Sequence, residues 1–184
     1  DLECFPRFCF VADSLRTLYP DLLVLSAGDN RSGDPINDMY EIPAYPMVSL
    51  MNIVGFQAST LGNHEFDSGQ EGLAKLIGMS NFPYLCANIQ PAAKTGIHVR
   101  PWQMFDVGGV RLAIIGVTAL GPMGKPESHP DNMTDLEFSD PLQSVQQYKN
   151  LRQQSDVVLL LSHMGYEDDV KLSAELPWVD LIRS

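Results

Sequence analysis

The chain has 184 residues, 45% hydrophobic and 19% charged, a balance that excludes a disordered or low-complexity polymer. Lys+Arg 12 against Asp+Glu 23 gives a formal net charge of −11, which argues against nucleic-acid binding through a basic surface. No apolar run approaches the roughly 20 residues that span a bilayer, no signal peptide is visible, and an odd count of cysteines without C-x-x-C argues against a zinc ribbon or a disulfide framework.

The predicted elements alternate between amphipathic helices and buried strands. Phe8, Val11, Leu15 and Leu18 share a helical face. Leu22-Leu23-Val24-Leu25 then runs into Ser26-Ala27-Gly28-Asp29, the form of a parallel strand covered on both faces. Residues 30–43, rich in Pro, Gly, Asp and Asn, read as irregular. Met47, Leu50, Met51 and Val54 mark a second helix, and Leu73, Leu76 and Ile77 mark a third after Ser68. Residues 84–88 form a strand, and residues 97–117 a hairpin turning at Gly108-Gly109. After a second irregular stretch, 118–139, Asp140-Pro141 starts a helix with Asp as its N-cap. Residues 157–163 and 179–182 close the series as strands. Such a series implies an α/β fold with a largely parallel sheet. Cys9 and Cys86 read as small core residues, and His98 and His129 as surface or packing residues.

Sheets of this kind place chemistry at the carboxyl ends of their strands, which singles out Asp29, His64 and His163. Gly28-Asp29-Asn30 puts a carboxylate just past a strand. Residues 61–67, Leu-Gly-Asn-His-Glu-Phe-Asp, supply an amide, an imidazole and two carboxylates behind one glycine. Ser162-His163-Met164-Gly165 ends another strand with an imidazole. Taken singly, each has an ordinary structural role: Asp29 as a helix N-cap, Asn63 as a turn residue, His163 as a buried hydrogen-bonded imidazole. Together they form a set of oxygen and nitrogen donors without thiolate, which suits Zn, Mn, Mg or Fe. Two such cations would clamp a phosphoryl group and offset the acidic background. The phosphate loop, the nucleophile elbow and the H-E-x-x-H helix are all absent.

At these residues the sequence resembles the 5′-nucleotidase branch of the calcineurin-like metallophosphoesterases. Phe56 followed by residues 61–67 is similar to that branch's signature, and residues 82–89, 109–114 and 161–166 are similar to its later strands. The resemblance covers nearly the whole chain and implies a four-layer α-β-β-α sandwich with a dinuclear centre of divalent metals (Zn, Mn, Mg or Co). It implies that Asp29 bridges both metals and that Asn63 and His163 bind the second. It implies that His64 faces the phosphate and aids departure of the leaving oxygen, with Asp67 orienting it; Asn30 and Arg31 are weaker candidates for contact with substrate. The expected activity is hydrolysis of nucleoside 5′-monophosphates. The alternatives are a 2′,3′-cyclic phosphodiesterase, a nucleotide-sugar or sulfur-pathway hydrolase, or a non-catalytic module that has lost the first metal. The resemblance also suggests the periplasm or cell surface and a small-molecule phosphate ester as partner; the acidic charge and the lack of a long apolar run lead to the expectation of neither nucleic acid nor membrane as partner.

The sequence departs from the family pattern at its ends. There is no D-x-H, and Asp1-Leu2-Glu3 does not match it; the family's G-G-H-x-H is replaced by Arg183-Ser184. Arg31 stands where the family has an uncharged residue. The expectation is a catalytic domain over residues 1–184, incomplete at both ends and without the family's C-terminal nucleoside-binding domain, in preference to a degenerate module.

Overall fold

The computed structural model describes residues 4–31 and 35–184. Asp1, and any role for it as a ligand, lies outside the described residues. The chain order is α1 (Cys4–Leu18), β1 (Leu25–Ser26), α2 (Pro35–Met39), α3 (Tyr45–Val54), β2 (Ala58–Thr60), α4 (Gly69–Met79), β3 (Tyr84–Leu85), β4 (Ile89–Pro91), β5 (Trp102–Val107), β6 (Val110–Thr118), β7 (Leu136–Phe138), α5 (Pro141–Gln146), β8 (Val157–His163), α6 (Tyr166–Glu175) and β9 (Leu181–Arg183).

Two main sheets stand face to face. The first is parallel, in the order β1-β2-β3; the second is β5-β6-β8-β9, with β5 antiparallel to β6 and the rest parallel. Three separate cores define the layers. Val48, Met51, Leu73 and Leu76 of α3 and α4 pack on the outer side of the first sheet. Ala58, Leu85, Ile114, Leu159 and Leu161 fill the space between the sheets. Ala113, Ile115, Val145, Leu160 and Leu172 join the second sheet to α5 and α6. Helix, sheet, sheet, helix is the expected sandwich. Backbones come close in the middle layer: a Cβ on Gly116 would stand 2.1 Å from the Leu85 carbonyl oxygen, so side-chain volume there is limiting.

Several elements differ from the sequence reading. The 22–25 strand shrinks to Leu25–Ser26, because Val24 N–H donates to the Gln57 side-chain oxygen at 2.7 Å in place of a neighbouring backbone. Residues 84–88 form a ladder only at Tyr84–Leu85; then Cys86 and Ala87 N–H turn to the carbonyls of Arg100 and Gly116, carrying the chain toward the second sheet. β2 carried no apolar signal, since two of its three buried residues are Ser59 and Thr60. The irregular stretch 118–139 contains β7, antiparallel to β4, and 30–43 contains α2. Helix α1 forms as predicted, yet Ala12 is its only buried residue, while Phe8, Val11, Leu15 and Leu18 stay exposed. The Asp140 cap holds, its carboxylate accepting Gln143 N–H at 2.8 Å, and the hairpin turns at Gly108-Gly109 between β5 and β6. Cys86 is buried and Cys9 half-buried. His98 and His129 are exposed.

Candidate functional site

The site lies where β1, β2 and β8 end at the same edge of the sandwich. Two glycines let their loops meet. A Cβ on Gly62 would fall 2.2 Å from Asp29 Oδ1, and one on Gly28 would fall 2.6 Å from Gly62 N. Asp29 takes φ 55, in the left-handed region, which an Asp tolerates better than a bulky residue. The strain is held by Glu65, which is buried and accepts the N–H groups of Asp29, Asn30 and Gly62 at 2.9, 2.7 and 2.6 Å. Burial pushes the Glu65 carboxyl up, against these three donors.

Asp29 is shared. Its Oδ1 accepts His64 N–H at 3.0 Å, and its Oδ2 stands 3.2 Å from His163 Nε2. Burial raises the Asp29 carboxyl, but the bonds from His163 and His64 outweigh it and leave it below the ordinary range. His163 Nδ1 lies 2.6 Å from the Ala27 carbonyl oxygen. A carbonyl only accepts, so Nδ1 carries a proton and Nε2 is the nitrogen whose lone pair could serve a ligand. The bond to Asp29 raises the pKa of His163, and burial opposes it. Asn63 Nδ2 donates to the Glu127 carbonyl at 3.1 Å, which leaves Oδ1 as the acceptor end of the amide. Ala27, Gly28, Asn63, Ala119 and His163 line a cleft of about 410 Å³.

His64 Nδ1 stands 2.7 Å from Asp67 Oδ2. That bond raises the His64 pKa, helped by Asp29, against partial burial. Asp67 also receives Ser128 Oγ at 2.8 Å on Oδ1 and Arg31 Nη1 at 3.4 Å on Oδ2.

Asn63 and His163 thus line one cleft, Asp29 meets His163 at 3.2 Å, and the His64–Asp67 pair joins Asp29 through the His64 N–H. Asn30 and Arg31 are turned to the protein. Asn30 bonds Ser26 and Ser59 with its oxygen and nitrogen; Arg31, 11% exposed, pairs Asp38 at 2.8 Å as well as Asp67. The donor chemistry of Asp29, Asn63 and His163 fits one divalent cation. Among the described residues no three His, Cys, Asp or Glu side chains stand close enough to hold a metal. The sequence pattern counts Glu65 only as one of the two carboxylates of the 61–67 run and gives Ser128 no role. A glutamate inside the 61–67 run gives no sign of being buried, and Ser128 sits in a stretch without periodicity.

The chain is 36% identical over 169 residues to Protein UshA of Yersinia enterocolitica, covering 89% of this chain and 30% of that protein. It is 33% identical over 174 residues to the NAD 5′-nucleotidase of Haemophilus influenzae, covering 92% and 28%. The solved structure of the Haemophilus influenzae NAD nucleotidase superposes with a TM-score of 0.82 at 30% identity, covering 97% of this chain and 35% of that one. The chain therefore spans about a third of the length of these relatives. No family model matches it. Among the described residues, no helix is long and apolar enough to cross a membrane.

Proposed function

The chain belongs to the 5′-nucleotidase family of calcineurin-like metallophosphoesterases, and from that premise we propose that it is the catalytic portion of a hydrolase that cleaves nucleoside 5′-monophosphates to nucleoside and phosphate. The observation that carries the reading is the Asp29–His163 contact at 3.2 Å beside the His64–Asp67 contact at 2.7 Å. One pair offers oxygen and nitrogen ligands; the other offers a proton.

Asp29, Asn63 and His163 would hold a divalent cation, with Asp29 shared by a second. Such cations supply Lewis-acid polarisation of phosphoryl oxygens and an attacking water of lowered pKa. The protein's own contribution is positional and protic. His64, whose pKa the Nδ1 contact with Asp67 raises, presents its other ring nitrogen to the ester. It stabilises negative charge on the phosphoryl group and donates a proton to the departing oxygen. Glu65 holds the Asp29 and Gly62 backbones so that ligand and acid stay in register. Asn30 and Arg31 support this site through Ser26, Ser59, Asp38 and Asp67. Recognition of the base falls to a further domain of the protein, and the working compartment is the periplasm or cell surface.

The test is a panel of nucleoside 5′-monophosphates, 2′,3′-cyclic nucleotides and nucleotide sugars, assayed with Mn²⁺ or Zn²⁺ and with chelator. Metal-dependent phosphate release led by the 5′-monophosphates supports the proposal. Release only from cyclic or sugar nucleotides would move the substrate assignment, and no release from any would leave a non-catalytic module.

A further inference from the structure

The loop of residues 119–135, between β6 and β7, carries none of the catalytic or ligand residues assigned above, yet it touches two of them. The Glu127 carbonyl accepts the Asn63 amide at 3.1 Å. Its neighbour Ser128 donates Oγ to Asp67 Oδ1 at 2.8 Å, and Asn132 Nδ2 donates to the Asp67 carbonyl at 3.2 Å. The loop is braced from within. Lys125 Nζ donates to the Met133 carbonyl at 2.9 Å, Gly121 N–H donates to the Lys125 carbonyl at 2.8 Å, and Pro126 and Met133 are buried.

Resting on the function proposed above, we propose that Ser128 is a positioning residue for the His64–Asp67 pair. A carboxylate turns readily about its last torsion. Asp67 Oδ2 receives two competing donors, the His64 imidazole at 2.7 Å and the permanently charged Arg31 at 3.4 Å. Without an anchor on Oδ1 the carboxylate can rotate toward the guanidinium, which pairs more strongly with both oxygens than with one. The Ser128 hydroxyl fixes the plane of the carboxylate and so reserves Oδ2 for His64. One dipeptide, Glu127-Ser128, then orients both a candidate ligand and the candidate acid. It does so by two separate atoms, a carbonyl and a hydroxyl.

The separation makes a sharp test possible in the intact protein. Ser128→Ala removes the hydroxyl and leaves the Glu127 carbonyl, so bound Mn²⁺ should not change. If Ser128 acts through proton donation by His64, its loss should matter for an ester with a poor leaving group and little for one with a good leaving group. The expected result is a kcat for AMP lowered roughly 5–30-fold, the scale of one lost charge-assisted hydrogen bond, with KM within about twofold. p-Nitrophenyl phosphate, whose leaving group needs no proton, should lose less than about threefold. Ser128→Thr, which keeps the hydroxyl, should restore AMP hydrolysis. The ring ¹⁵N spectrum of His64 gives a readout independent of turnover: its Nδ1 signal should move in Ser128→Ala and not in Ser128→Thr. Equal losses for both esters, or an unmoved His64 signal, would overturn the proposal. If the wild-type protein hydrolyses neither ester, the proposed function falls, and the His64 spectra alone decide the role of Ser128.

Discussion

The two ends of the sandwich carry the same kinds of charge, and Asp156 and Asp180 at one end are treated differently from Asp29 and Glu65 at the other. At the amino ends of β6 and β8, Arg111 binds Asp156 through two nitrogens at 2.9 and 3.1 Å, and its own N–H adds a third bond at 2.8 Å. Arg152 bonds Asp180 at 3.0 Å, and Asp180 also accepts Val158 N–H at 2.8 Å. Asp156 and Asp180 each have a permanent cation. At the carboxyl ends, among the described residues, Asp29 and Glu65 have no Lys or Arg partner; they meet backbone N–H groups and one imidazole. An end whose charges are matched by the chain needs nothing more. Where a carboxylate is matched only by a titratable ring, a cation could take the proton's place, because His163 can release its proton to solvent and free a nitrogen lone pair.

If that contrast is right, changes at the two ends should have different consequences. The largest effect is expected from Gly62→Ala. Its new methyl collides with Asp29 Oδ1 and the Asp29 backbone, so the two loops must part. Loss of phosphate release below detection is expected, with a stability cost of about 1–3 kcal/mol from overpacking, read by turnover and denaturant melts. His64→Ala should lower kcat for AMP by about 10²–10⁴-fold, the usual worth of a positioned acid, while Mn²⁺ content stays unchanged. Metal content that falls with turnover would make His64 a ligand.

A smaller effect separates proton from cation at His163. The bond to Asp29 raises its pKa, so the proton is held more firmly and must leave before a cation enters. Mn²⁺ affinity should weaken roughly tenfold per pH unit once the pH lies below that raised pKa, seen by calorimetry from pH 8 to pH 5. Flat affinity would remove His163 from the ligand set. The smallest effect is expected at the matched end. Arg111 and its backbone N–H hold Asp156 down to about 2. Its contribution is therefore complete above the ordinary carboxylate range and is lost as pH falls toward that value. Asp156→Asn should lower Tm by a few degrees at neutral pH, with the difference from wild type shrinking in acid and AMP hydrolysis unaffected.

The features legible in the sequence were those written in contiguous pattern. β8 ends at His163 because the apolar run Val157–Leu161 gives way there to Ser162 and His163, and the 61–67 run places Asn63, His64 and Asp67 by spacing alone. β2 was not legible, since its burial rests on Ser59 and Thr60 bonding partners far along the chain, including Thr60 Oγ1 to the Leu85 carbonyl at 2.9 Å. Asn30 and Arg31 looked available for substrate because a loop sequence does not say which way a side chain turns. Ser128 was illegible for a related reason: 61 residues separate it from Asp67, and nothing local marks the contact. The exposed face of α1 shows the limit of periodicity, which locates a helix and its apolar stripe but not what lies against it.

The most direct test of the central claim is the number of Mn²⁺ ions retained per chain after desalting, in wild-type protein and in Asp29→Asn at the same pH. The carboxyl-end site as described predicts at least one ion per wild-type chain and none in the variant. No ion in the wild type, or equal retention in both proteins, would contradict it.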